Sequence, residues 1–447
     1  MRPQVNVIVA CGVVLLLADF GLMSTADAAL GALLMALLRP SLAPWLLLPL
    51  ATIQDAPGLA GIWWYLGFVM VGGWAIVTCS NLRLAGWPRL WGLIATVVVV
   101  YAVLVSLIQG GLGGYPQSDH RNPLFLGGLM LFMVWCGLYV GQRMIQTPKS
   151  ASTIKWVVGL LVFHGLGVAT IQAVYTPTFL SSPLGFQEIG YAAQLIVPTA
   201  VGFPRITGTF LTPNGFALAM ALLMLLVPAI RGGKITSWQY VVAWISLGGI
   251  LSLLSFSKAL GLFFVLTAWI ALFQLLSWKR ALTLLGTVAL AVWIGLVLLP
   301  DTLPVLTDVL RITVGFSGDS FRAQAWSLAL SDFYWGDWLF GTGLAYWPIF
   351  FEGHMGVALA DPHTWVLSVP GSFGLPGLLL YIFVAYSLVR MMRRSSGEHR
   401  LVAAVMLVLL FVKDLFSIPS LLGNTPLTFL VWVIIGGLLS PRIFADK

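Results

Sequence analysis

The stretch Asp361–Ala385, DPHTWVLSVPGSFGLPGLLLYIFVA, decides the class of fold. A carboxylate, a proline and a histidine stand directly before an apolar run that begins at Trp365. The run over 365–389 is long enough to cross a hydrocarbon core, which takes about 20 residues. Ionisable groups at the mouth of such a run are costly and usually have a function. Pro362 would pre-set the first turn of the helix, where a missing N–H costs little. The Gly and Pro residues at 370–377 would loosen or kink the span just below and leave room for a substrate.

Outward from this stretch the same composition continues. The chain is 59% hydrophobic and 9% charged, against roughly 25% charged in a soluble domain. Apolar runs of spanning length lie near 5–22, 61–79, 91–109, 123–142, 154–174, 214–230, 237–254, 259–277, 282–299, 365–389, 401–416 and 425–440. The runs are solid and do not alternate, which excludes an outer-membrane barrel. The expectation is an all-α, polytopic integral membrane protein with about twelve transmembrane helices, one membrane domain over 1–447. A shorter apolar pair, 26–38 and 41–53, split at Arg39, reads as a hairpin of two short helices. The first run mimics a signal peptide, but Asp19 interrupts it and many spans follow, so it is expected to stay as an uncleaved span. Cys11, Cys79 and Cys136 all lie in apolar runs without metal-ligand spacing, so no disulfide framework is expected.

Two segments are too polar for lipid, 175–213 and the longer 300–364, the latter with short helices expected inside it. The excess of Lys and Arg on cytoplasmic loops orients the chain. With both termini in the cytoplasm, seventeen of the 23 Lys and Arg fall inside and twelve of the 15 acidic residues outside. Both polar segments, and His363, then face the periplasm or exterior. The net charge of +8 is mostly this topology, and no nucleic-acid partner follows from it.

Six cations break the rule: Arg121, Arg205, Lys258, Arg311, Arg322 and Lys413. Local pairing would account for some, since Arg121 follows Asp119, Arg322 follows Asp319 and Lys413 precedes Asp414. Context favours more. Arg205 precedes a turn in FPRITGTFLTPNGF, where Thr212 or Asn214 could cap the next helix and add an anion-favouring helix end. Arg322 lies in SGDSFRAQAW, where Ser317, Asp319 or Ser320 could start a short helix. Lys258 sits between two spans with almost no loop. Several such groups at one boundary suit a phosphate or diphosphate, which Arg grips bidentately and Lys as a point charge. His363, at the same boundary, could take a proton from a hydroxyl, with Asp361 to orient it or balance its charge. The alternative for His363 is a helix-capping or pairing histidine. His120, His164 and His354 are weaker candidates, two in loops and His164 in a span without an obvious partner. No paired external carboxylates, His/Cys cluster or Gly-rich cradle is present, so metal-free chemistry without a cofactor is expected. A nucleotide-sugar donor is not expected, because that pool is cytoplasmic and these groups are expected on the other side.

These residues resemble a known family. FRAQAWSLALSDFYWGDWLFGTGLAYWPIFFEGHMGVALADPHTWVLSVPGSFGLPGLLLYIF is similar to the defining segment of the O-antigen ligase and polymerase superfamily: an Arg then a Trp, a Gly-Thr-Gly turn, a Pro-His motif and a Gly-rich start to the next helix. RITGTFLTPNGFALAM and SLLSFSKALGLFF resemble its two other marked segments, so the likeness covers roughly 200–380. Lys258 stands where the family often has Arg, and Thr364 where many members have Asn. The resemblance implies glycan transfer from undecaprenyl diphosphate on the periplasmic face. The acceptor would be lipid A–core in ligases, another lipid-linked repeat in polymerases, or a protein hydroxyl in related glycosylases. His363, Arg205 and Arg322 would be catalytic, with Lys258, Arg121, Arg311, Lys413, Asn214 and Asp361 supporting. Ligase is favoured because FYWGDWLFGTGLAYWPIFF would suit an interfacial platform for a lipid-anchored acceptor. A lipid-oligosaccharide transporter is the alternative from another class; it would carry charge along mid-membrane segments.

Overall fold

In the computed structural model, the described residues are 2–20, 25–53, 59–78, 84, 87–110, 122–146, 150–175, 213–231, 247, 263–268, 270, 320–344, 346–355, 362, 364–395, 397–414, 419–423 and 425–439. Among them every regular element is helical and no strand occurs. An apolar chain in lipid has no water to satisfy its backbone, and helices pair those groups internally. The expected span 282–299, all of 237–254 but residue 247, most of 259–277, and the segments 176–212 and 300–319 lie outside the described residues.

Among the described residues, four helices are long and apolar enough to cross a membrane: Trp87–Ile108, Pro123–Gln146, Ser152–Thr170 and Trp365–Arg394. Shorter apolar helices cover Gln4–Asp19, Thr25–Leu38, Trp64–Thr78, Gly215–Ile230 and Pro426–Leu438. The chain divides into two compact units, Met1–Asn81 with Arg143–Ser317, and Leu82–Gln142 with Gly318–Lys447.

The first unit is built on α1 (Arg2–Phe20), α2 (Thr25–Leu38), α3 (Ala43–Thr52), α4 (Leu59–Thr78), α7 (Ser150–Tyr175) and α8 (Pro213–Arg231). The expected short hairpin is α2 and α3. Arg39, in extended conformation, ends α2, and Pro40 opens a single 3-10 turn into α3. Every residue of α3 is buried. α8 begins at Pro213, a position where the absent N–H is an orphan anyway. Asn214 is therefore inside the helix and is not its cap.

The second unit holds α5 (Trp87–Gly110), most of α6 (Pro123–Gln146), three short helices α9 (Ser320–Asp332), α10 (Trp335–Phe340) and α11 (Tyr346–Met355), then α12 (Trp365–Arg394), α13 (Gly397–Leu407) and α14 (Pro426–Leu438). Gly141 lets α14 approach α6 closely, since a Cβ there would collide with the Val433 carbonyl. The short helices expected in the long polar segment are α9 to α11, and α9 starts at Ser320, one of the expected positions. Phe333, Trp347, Phe350, Phe351 and Leu367 form their common core.

α12 is not one continuous span. Gly374 has φ 61° and ψ −157°, outside helical values. Trp365 and Tyr381 stack at 5.3 Å with planes 7° apart. Sixteen residues of straight helix would separate them by about 24 Å. A Cβ on Gly377 would meet Phe373 Cβ at 2.5 Å and Val369 Cγ1 at 3.0 Å. The arm 365–373 therefore folds back along the arm 375–394. The second arm alone is about 30 Å long, enough to span.

Candidate functional site

The expected substrate gap at 370–377 is filled by the chain itself. The turn Gly341-Thr342-Gly343 docks on the open carbonyls of the α12 break. Thr342 donates from its N–H and from Oγ1 to the Gly371 carbonyl, at 2.7 and 2.9 Å, and Gly343 N–H donates to Ser372 at 3.1 Å. Gly341 has φ 74°, and a Cβ there would lie 2.6 Å from the Gly374 nitrogen. Glycine is required on both sides of the contact: each combines a left-handed φ with backbone at the place of a Cβ.

Two indole hydrogen bonds then join three segments that the sequence singles out. Trp326 Nε1 donates to the Pro362 carbonyl at 2.7 Å. Arg322 belongs to the same helix, α9, one turn before Trp326. Trp365 Nε1 donates to the Phe411 carbonyl at 3.2 Å, and the Phe411 ring packs edge-on against Trp365 and Tyr381. Phe411 lies in a π-helical stretch, Val408–Lys413, that ends α13. Such stretches commonly mark functional sites. Pro362 and Thr364, on either side of position 363, are buried. Thr364, not Pro362, precedes the helix as its N-cap, and its side chain makes no capping hydrogen bond. Pro362 stands outside the helix, with its carbonyl accepting the Trp326 indole N–H.

Lys413 has the local-pairing answer. It is buried, and its Nζ lies 2.6 Å from Asp414 Oδ1. It also donates to Ser420 Oγ at 2.8 Å. Ser420 in turn donates to Asp414 from Oγ at 2.8 Å and from its N–H at 2.7 Å. Its charge is met inside the fold, and it has no surface to offer a headgroup. Of the other candidates, Arg121, Arg205, Lys258, Arg311, Asp361 and His363 lie outside the described residues, and for Arg322 and Asn214 only the helical position is described.

Two ionisable pairs escaped the sequence reading. His164 Nε2 lies 2.8 Å from Asp19 Oδ2, joining α7 to α1 within apolar helices. The sequence signal was two lone ionisable groups in separate apolar runs, 145 positions apart. His354 has Nδ1 2.8 Å from the Phe350 carbonyl and Nε2 3.2 Å from Asp332 Oδ2. Its two ring nitrogens thus lie against the Phe350 carbonyl and the Asp332 carboxylate. Among the described residues no group of three or more His, Cys, Asp or Glu could hold a metal ion. Comparison of the chain with protein-family models, with curated proteins and with solved structures finds no match.

Proposed function

We propose that the chain is an inner-membrane glycosyltransferase, an O-antigen ligase that moves a polysaccharide from undecaprenyl diphosphate to lipid A–core on the periplasmic face. About twelve spans, both termini in the cytoplasm and a large periplasmic segment before the antepenultimate span complete this reading. Arg205 and Arg322 grip the donor diphosphate and stabilise its charge as it leaves. Lys258 supports that grip, with Arg121 and Arg311. His363 removes the proton of the acceptor hydroxyl, whose oxygen then attacks the anomeric carbon. The bond from that carbon to the diphosphate oxygen breaks, and the configuration inverts. No metal or cofactor takes part.

The observation that carries this reading is the pair of indole hydrogen bonds. Trp326, one turn from position 322, holds the carbonyl just before position 363, so the Arg-bearing helix and the histidine segment are fastened together. Such a juxtaposition suits a leaving-group clamp beside a base. The resemblance over 200–380 points the same way.

The test is transfer from labelled donor to lipid A–core by purified variants. His363→Ala should lower the rate roughly 10²–10⁴-fold while donor binding survives. Arg205→Lys and Arg322→Lys should each lose most activity with little change in thermal stability, because a point charge cannot replace the fork. The wild-type rate should fall on acidification, as the imidazole base takes up its proton before reaction. Full activity in His363→Ala, or loss of donor binding in it, would remove the base from this mechanism. One observation favours the transporter reading instead: the Asp19–His164 pair puts ionisable groups among apolar helices. The two readings part on whether transfer needs a sealed membrane.

A further inference from the structure

Between 330 and 340 five apolar side chains face outward, while Phe333 is buried in the core. Trp335 is 90% exposed, Tyr334 81%, Leu330 63%, Phe340 58% and Leu339 48%. In water a patch of this kind would invite association. Its neighbours supply a different solvent. α5 carries an exposed aliphatic stripe, Leu93, Val97, Val100, Leu104 and Ile108, at helical spacing. The second arm of α12 carries another, Leu375, Leu379, Ile382 and Val389.

α10 is fastened to both helices. The Tyr101 hydroxyl donates to the Phe340 carbonyl at 2.8 Å. On the other side, a Cβ at Gly374 would lie 2.6 Å from the Leu339 oxygen. Tyr101 is nine residues short of the end of α5, about 14 Å along the axis. A helix of this length fills a hydrocarbon core of about 30 Å, so that level lies below the boundary. The acidic group of α10 is already answered: Asp337 Oδ2 accepts the Tyr334 N–H at 2.9 Å.

We propose that residues 330–340 form a leaflet anchor, with Leu339 and Phe340 among the acyl chains of the bilayer and Tyr334 and Trp335 at headgroup level. The inference rests on reading the chain as a membrane protein, and it turns the interfacial aromatic platform into an anchor whose C-terminal end enters the leaflet. Apolar continuity with the two stripes selects the occupant, and the gradient from ring-and-hydroxyl to pure hydrocarbon along α10 matches an aromatic belt. The anchor would fix the depth of the Gly341–Gly343 turn, and with it the α12 break.

The test places single spin labels at 335, 339 and 340, and at the reference positions 97 and 379, in full-length protein lacking its three native cysteines. The protein is reconstituted in phosphatidylcholine vesicles, and collision with oxygen is compared with collision with a water-soluble nickel chelate. Positions 339 and 340 should match the references, favouring oxygen, and 335 should be intermediate. Nickel access at 339 and 340 equal to that of a watery loop, with the references protected, overturns the anchor. Nickel access at the references as well means that the membrane reading itself fails. Delipidated core oligosaccharide is then added without vesicles, in detergent. Immobilisation of the 335 and 340 labels by that sugar would make the patch a glycan-binding face and also overturn the anchor. The labelled positions are exposed, whereas Cys11 and Cys136 are buried, so a monodisperse gel-filtration peak of the cysteine-free protein and of each labelled variant checks that the fold is kept.

Discussion

Lys413, Asp414 and Ser420 close a ring of charge-assisted hydrogen bonds where no water can replace them. Removing one member of such a pair strands the other charge, at a cost of about 3–5 kcal/mol. Lys413→Ala should therefore lower thermal stability in detergent sharply. Replacing both charges, Lys413→Met with Asp414→Leu, should cost much less, since paired apolar groups avoid the desolvation penalty. Equal losses in the single and double variants would contradict the pairing. Asp19 and His164 follow the same logic across α1 and α7. The sequence made the Lys413–Asp414 adjacency legible but not Ser420, whose position depends on how the chain turns after the π-helical stretch. It gave no partner for His164, because a contact across 145 residues is decided by helix packing.

At the scale of elements, the break in α12 sets the local architecture. Gly374→Ala places a Cβ against the Leu339 carbonyl at φ 61°, ψ −157°, a backbone region nearly confined to glycine that costs another residue about 1–3 kcal/mol before any collision. The variant should melt several degrees lower, whereas Leu375→Ala, on the outward stripe, should stay within about 0.5 kcal/mol of wild type. Comparable melting of the two would remove the docking of the Gly-Thr-Gly turn from the account. Trp326→Phe keeps the ring and loses the donor to Pro362. It should cost about 1 kcal/mol of stability and much more in transfer rate; an unchanged rate would separate that hydrogen bond from the site. The kink was legible from Gly and Pro at 370–377, and the hairpin from the Arg39–Pro40 interruption. The fold-back of 365–373 was not legible. A hydropathy window sees one apolar run, and the stacking of Trp365 on Tyr381 is a tertiary event that no local periodicity encodes.

At the scale of the whole molecule, the apolar helices and the six exceptional cations, spread over five segments of the chain, carry the reading. Cysteine labelling should find positions 311, 322 and 354 reactive from the periplasmic side, and 149, 234 and 394 only after permeabilisation. Labelling of 322 from the cytoplasm would invert the topology. Composition made the membrane class legible, because solid apolar runs leave the backbone no alternative to helices. The convergence of α9, Pro362 and the π-helical stretch was legible only as separate motifs, since two indole hydrogen bonds between distant segments join them. The central claim is tested most directly by incubating purified protein in detergent with labelled undecaprenyl-diphosphate glycan and lipid A–core, and reading the products by mass spectrometry. The account predicts the glycan on lipid A–core, free undecaprenyl diphosphate, and no requirement for a sealed membrane. Unmodified acceptor in detergent, with the lipid-linked glycan crossing sealed vesicles that contain the protein, would contradict it.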